Sequence, residues 1–362
     1  MHHGECSILG GVALSVKLRR LWSAILDGET FLRWRIMIPE FEPHPLLKNG
    51  HAMTIAAALV PRKFKIQPAE ARRFKVEEGS FLLGHCHWQP RKRRDAPVLV
   101  LVHGLEGSSD SNYMRGIAEK AFHRGFHVVR LNQRNCGGTE ALTPTLYNSG
   151  MSGDYRAVFE EFSNGDGFEQ IFLAGYSMGG NLVTKVAGEF GASVPKALRG
   201  VCAVCPALDL AACADALERT ENYLYQRRFV SGLMERYARK QKMFPDRYRL
   251  NGLGPVRTVR QFDDVITAPQ FGYRDAQDYY EHVGAKRVAA QIRVPFLMIT
   301  AQDDPFVPYA SFVAAKISGN PAIRFIAPLH GGHCGFISKH FGPERFWAEQ
   351  RLVDFCQEHA AG

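Results

Sequence analysis

The sequence predicts an α/β fold: a mostly parallel central sheet, doubly wound and flanked by helices, with a helical lid inserted between two core strands. Three observations carry this. Short apolar runs alternate with helix-length stretches along most of the chain, as expected of parallel strands joined by helical crossovers. The run at 98–102 is continuous and β-branched rather than alternating, as a strand buried on both faces must be. From residue 206 to about 290 the alternation stops, and a charged segment rich in aromatics intervenes before residues 294–300 resume the core.

In order, residues 1–70 read as an N-terminal extension packed on the core. A helix is expected at 18–35, and Pro39, Pro43, Pro45, Pro61 and Pro68 break up the remainder of the extension. Residues 72–76 and 80–88 read as two strands joined at Glu77-Glu78-Gly79. The strand at 98–102 leads into His103-Gly104-Leu105-Glu106-Gly107, then a helix at 111–124 and a strand at 126–131. Residues 132–150 form a long loop after a strand, a usual place for substrate contacts. Next come a helix at 151–162, a strand at 171–174 and a strand at 198–205. Beyond the insertion lie a helix, a strand at 322–326 and a last helix at 343–359. The core is therefore expected at 71–205 and 291–362, and the lid at 206–290.

Composition narrows the class. A chain of 362 residues with 46% hydrophobic and 22% charged residues suits a globular protein of one large domain or two small ones. No apolar run approaches the ~18 residues that span a bilayer. The apolar stretch at 8–16 is short, and its positive charges come after it, the wrong order for a signal peptide. The chain is expected to be cytoplasmic. Its eight scattered cysteines are then free thiols. Cys202 and Cys205 have C-x-x-C spacing on an apolar strand with no second pair or nearby histidines, which favours buried thiols over zinc. His85 and His87 share a strand face but lack a third ligand. The net charge of +9 is clustered at 17–20, 62–65, 91–94 and 236–242. No nucleic-acid motif accompanies these clusters, so a solvated basic face is preferred and no nucleic-acid partner is expected. Contact of the basic N-terminal segment with a membrane surface is a further expectation.

The chemistry centres on Gly175-Tyr176-Ser177-Met178-Gly179, which fits G-x-S-x-G between a strand and a helix. The turn folds the strand end against the helix, so neighbours of the serine can carry little or no Cβ. The hydroxyl is lifted out of the sheet edge, and the first N–H groups of the helix point at whatever it attacks. The other reading of Ser177 is a helix N-cap. A serine nucleophile needs a base, and His333, among Gly331, Gly332 and Gly335, is the candidate, on a glycine-rich loop expected to be mobile. His330 is its rival. Asp304 is the candidate acid, because Asp304 to Pro308 has the D-x-x-x-P spacing of an aspartate above a strand and a proline opening a helix. Asp303 should face away, and Asp209 is a second alternative. Oxyanion donors are expected at the N–H groups of Met178 and Leu105. His103 reads as a loop-positioning residue. The order Ser, Asp, His is the order of this triad on doubly wound sheets.

The chain resembles the YheT-type branch of the α/β-hydrolases, which also holds yeast medium-chain ester synthases and phospholipid-cleaving mammalian relatives. The stretches that carry the resemblance are HPLLKNGHAMTI (44–55), HGLEGSSDSNYMRG (103–116), LNQRNCGG (131–138), GYSMGGNLVTKVAGE (175–189), TAPQFGYRDAQDYY (267–280), DDPFVP (303–308) and GGHCGF (331–336). It implies an α/β-hydrolase fold and triad roles for Ser177, Asp304 and His333. The triad residues read as those of a serine carboxylic-ester hydrolase, the apolar side chains of the lid suggest short-to-medium acyl esters, and no cofactor is implied. An acyltransferase using the same triad and a non-catalytic binding protein on the same fold are the alternatives. Asn135 departs from the family's usual glycine, and a left-handed backbone is expected there.

Overall fold

The computed structural model describes residues 39–90, 95–249 and 254–360. The described residues from Glu42 onward belong to one compact unit. The helix expected at 18–35 and the basic clusters at 17–20 and 91–94 lie outside the described residues. Residues 42–70, expected as part of the extension, belong to the same unit as the core.

One eight-stranded sheet organises this unit. Its strands are β1 (Glu70–Glu77), β2 (Ser80–His87), β3 (Val98–Val102), β4 (His127–Asn132), β5 (Ile171–Tyr176), β6 (Leu198–Val204), β7 (Phe296–Ile299) and β8 (Ile323–Ile326). Their spatial order is β1-β2-β4-β3-β5-β6-β7-β8. The β1–β2 and β2–β4 pairs are antiparallel and the other five are parallel. All residues of β3, β4, β5 and β7 are buried, which explains why β3, β5 and β7 read as near-continuous apolar runs. β4 lies on one side of β3 and β5 on the other. The winding direction changes there, which opens a crevice at the carboxyl ends of the strands.

The helices are α1 (Gly50–Leu59), α2 (Asn112–His123), α3 (Ser152–Glu160), α4 (Met178–Phe190), α5 (Leu210–Leu217), α6 (Tyr223–Met243), α7 (Ala276–Val283), α8 (Tyr309–Ala314) and α9 (Trp347–His359). Among the described residues, none is long and apolar enough to cross a membrane. α1 starts at Asn49, whose side chain accepts from the His51 and Ala52 N–H groups, a cap worth about 1 kcal/mol. α5, α6 and α7, with shorter helical turns between them, fill the stretch between β6 and β7.

One expectation is corrected in part here. The basic run at 236–242 is solvated at Arg239 and Lys242 but not throughout. Arg236 and Lys240 are buried; Arg236 pairs with Glu106, and the Lys240 ammonium donates to the Glu140 carbonyl at 2.7 Å and to the Thr143 carbonyl. Arg62 is likewise committed, to Glu349. Cys202 and Cys205 are buried thiols as expected, and each faces a different cysteine. The Cys202 sulfur lies 3.9 Å from that of Cys356, and Cys205 meets Cys334.

Candidate active site

β5 delivers Ser177 through a turn of little tolerance. Ser177 has φ 54° and ψ −119°, a strained backbone for a residue with a side chain. A Cβ on Gly175 would lie 2.2 Å from the Gly179 carbonyl oxygen, and one on Gly179 would lie 2.4 Å from that of Val102. Both obstacles are backbone, so neither position accepts alanine without moving the sheet or the helix. Ser177 is flanked by helix α4 but makes no side-chain cap bond to it, so its hydroxyl is left for other partners.

The partner is His333, whose Nε2 is 2.9 Å from Ser177 Oγ. The Nδ1 side of the ring is 2.8 Å from Asp304 Oδ2. Asp304 is held in turn by the Phe306 and Val307 N–H groups, which donate to Oδ1 at 3.0 and 2.9 Å. The three residues that the sequence singled out therefore meet in one chain of hydrogen bonds. Burial opposes the His333 imidazolium, while the Asp304 carboxylate and the neighbouring Cys334 sulfur favour it. The balance raises its pKa above the ordinary 6.5.

The rivals are placed elsewhere. His330 faces Asp303 at 3.5 Å. Asp303 accepts from the Gly332 N–H at 2.8 Å and so ties down the histidine loop. Asp209 caps α5 and pairs with Lys286 at 2.7 Å. His103 is buried, with Nδ1 against the Gly104 carbonyl at 2.7 Å and Nε2 accepting from the Gln133 N–H at 3.1 Å. Burial pulls its pKa down to about 4, so it stays neutral and holds the loop after β3.

That loop runs directly against the serine. A Cβ on Gly104 would come within 3.0 Å of Ser177 Cβ, and Leu105, Ser177 and Met178 line the same cleft. Met178 opens α4, where the first N–H groups have no intrahelical acceptor. Beside Leu105, Glu106 takes φ 56° and is gripped by two side chains. Tyr147 donates to it at 2.8 Å, and Arg236 on α6 bonds both carboxylate oxygens at 3.1 Å. Asn135 has φ 64°, the left-handed geometry expected there, and its carbonyl also accepts from Arg236.

The glycines of the histidine loop, Gly331, Gly332 and Gly335, answer steric demands. Gly332 has φ 57°, and a Cβ there would lie 2.5 Å from the Gly50 carbonyl oxygen on α1. From the same helix Thr54 Oγ1 accepts the His333 N–H at 2.8 Å. The sequence pattern assigned no chemistry to this segment, although the helix-capping Asn49-Gly50 lies inside HPLLKNGHAMTI. Nor did it reveal Glu106–Arg236, a pair separated by 130 positions with no local signature.

A cleft opens beside Ser177, between the sheet and the insertion. Leu210, Leu217, Phe229, Leu233 and Phe262 of the insertion line it, and Tyr147 to Ser149 contribute from the loop after β4. His333, Cys205 and Cys334 offer donor atoms within 4.8 Å of one another, a potential metal cluster that no sequence motif announced.

Residues 97–340 match the sequence family described as the alpha/beta hydrolase fold. The chain belongs to the α/β-hydrolase family. Within it, the chain is 32% identical over 318 residues to the Escherichia coli (strain K12) protein named "Putative esterase YheT", covering 87% of this chain and 92% of that one. It is 28% identical over 255 residues to phospholipase ABHD3 of Mus musculus, covering 70% and 60% respectively. Among solved structures, the α/β-hydrolase GrgF from Penicillium sp. sh18 superposes with a TM-score of 0.55 at 18% identity, covering 82% of this chain and 100% of that one. At that identity the likeness speaks for the fold.

Proposed function

We propose that this α/β-hydrolase is a serine carboxylic-ester hydrolase with a Ser177–His333–Asp304 triad, acting on short-to-medium acyl esters through an acyl-enzyme. The observation that carries the reading is the continuous path from Ser177 Oγ through both ring nitrogens of His333 to Asp304. Ser177 attacks the ester carbonyl while Nε2 takes its proton. Asp304, fixed by two backbone N–H groups, accepts the Nδ1 hydrogen, sets the tautomer and stabilises the imidazolium. The Leu105 and Met178 N–H groups receive the oxyanion, each worth roughly 3 to 4 kcal/mol. His333 then protonates the leaving alcohol, and water repeats the sequence on the acyl-enzyme.

The insertion at 206–290 is the lid, and its aliphatic and aromatic side chains form the acyl wall. An esterase name on one relative and a phospholipase name on another support ester chemistry. The reading is tested with a fluorophosphonate probe and peptide mapping. Covalent label at Ser177 supports it; label absent from Ser177 on folded protein contradicts it. A p-nitrophenyl ester series from acetyl to dodecanoyl then sizes the acyl pocket, and the proposal expects the optimum among the shorter half of the series.

A further inference from the structure

Two cysteines with no part in the hydrogen-bond chain meet directly beside it. Cys205 comes just after the end of β6, and Cys334 is next to His333 in sequence. Their sulfurs and a His333 ring nitrogen lie within 4.8 Å of one another. The Cys334 N–H points at Cys205 Sγ at 3.4 Å, Cys205 Sγ reaches the Gly332 carbonyl at 3.8 Å, and Cys334 Sγ reaches the Val204 carbonyl at 3.9 Å. Both cysteines hold left-handed backbones, φ 46° and 62°, a conformation that costs on the order of 1 kcal/mol or more without glycine.

The donor set could suit a soft metal, but both ring nitrogens of His333 are already committed, to Ser177 and to Asp304. That leaves two thiols in mutual reach. Their settings differ: Cys205 is fully buried, while Cys334 is the one described cysteine with partial exposure. An accessible thiol next to a buried resolving thiol is the arrangement of a redox-sensitive pair.

We propose that Cys205 and Cys334 form a peroxide-sensitive dithiol whose oxidation to a disulfide disengages His333 from Ser177. Burial opposes the Cys334 thiolate, but the Cys205 thiol and the His333 imidazolium favour it, and the balance lowers its pKa to about 6. The Cys334 thiolate attacks hydrogen peroxide, the O–O bond breaks, and sulfenic acid and hydroxide form. The hydroxide takes up the proton that Cys334 gave up. Cys205 then attacks the Cys334 sulfur, the S–O bond breaks, and water leaves with the Cys205 proton. Two thiols and one peroxide give one disulfide and two waters. The sulfurs must close to about 2.05 Å. Because Cys334 is bonded to His333, that movement pulls on the imidazole and breaks its 2.9 Å contact with Ser177.

The test treats the full chain with hydrogen peroxide and monitors two readouts. The first is a non-reducing peptide map, which reports the bond whether or not the protein hydrolyses esters. The second is fluorophosphonate labelling of Ser177, with ester turnover where it is found. We expect a linked peptide containing residues 205 and 334, with labelling lost about tenfold or more and restored by dithiothreitol. Cys334→Ser should resist peroxide, its treated labelling staying equal to its own untreated value. Peptides 205 and 334 recovered unlinked from inactivated protein would overturn the proposal. So would equal peroxide sensitivity in Cys334→Ser, or full activity in protein that carries the linked peptide. If Cys205→Ser, the complementary variant, folds poorly, the Cys334→Ser arm and the map still decide.

Discussion

The turn at Ser177 and the loop at His333 present two ends of one hydrogen bond, yet they are held by different means. The serine turn is held from within. Gly175 and Gly179 let β5 and α4 touch, and the strained Ser177 backbone results from that contact. The histidine loop is held from outside. Thr54 and Gly50 of α1 press on one side and Asp303 on another, Thr54 from 279 positions away. The two differ in kind: backbone on backbone alone at the serine turn, and at the histidine loop single hydrogen bonds added to the Gly332–Gly50 approach. Substitutions at the first should damage folding, and substitutions around the second should damage alignment.

The comparison can be broken at several points. Asp304→Asn keeps the shape but loses the charge that sets the His333 tautomer, and kcat should fall about 10⁴-fold with the fold intact. Steady-state kinetics beside a circular dichroism melt would check it. Gly179→Ala puts a Cβ 2.4 Å from the Val102 carbonyl oxygen, so it should cost several kcal/mol, on the order of 3 or more, read as a drop in the urea midpoint. A midpoint equal to wild type would show that the turn has slack.

Thr54→Val tests the outer support. It leaves the His333 N–H without its acceptor, a loss of roughly 1 to 3 kcal/mol. Part of that should appear as a lower kcat at unchanged KM. A change in KM alone would point to substrate contact at Thr54 instead. The smallest effect is on the pH profile. Only neutral His333 acts as base, so activity rises as pH rises through its pKa, and the acid limb should lie above the ordinary histidine range because Asp304 and Cys334 favour the imidazolium. Removing the sulfur in Cys334→Ser should move that limb toward lower pH. A limb that stays in place would separate Cys334 from the charge on His333.

The same contrast explains what was legible in the sequence. Strands such as Val98–Val102 could be read because burial on both faces writes itself into consecutive residues. Ser177 could be read because its steric requirements fall within five positions. Asp304 and His333 each come after a core strand, so the sheet's direction brought them to one edge. What escaped depends on contacts between distant segments. Nothing near Thr54 marks it as an acceptor for a loop 279 residues on, and Arg236 looked like surface charge until Glu106 met it. Cys205 read as an inert buried thiol for the same reason, since its partner arrives on another strand's loop.

The central claim is that Ser177 is the nucleophile of an ester hydrolase. The direct measurement is the initial rate of p-nitrophenyl ester hydrolysis by wild type and Ser177→Ala, with melting curves for both. The account predicts a fall in kcat of roughly 10⁶ with the melting curve unchanged. Near wild-type turnover in the folded variant would contradict it.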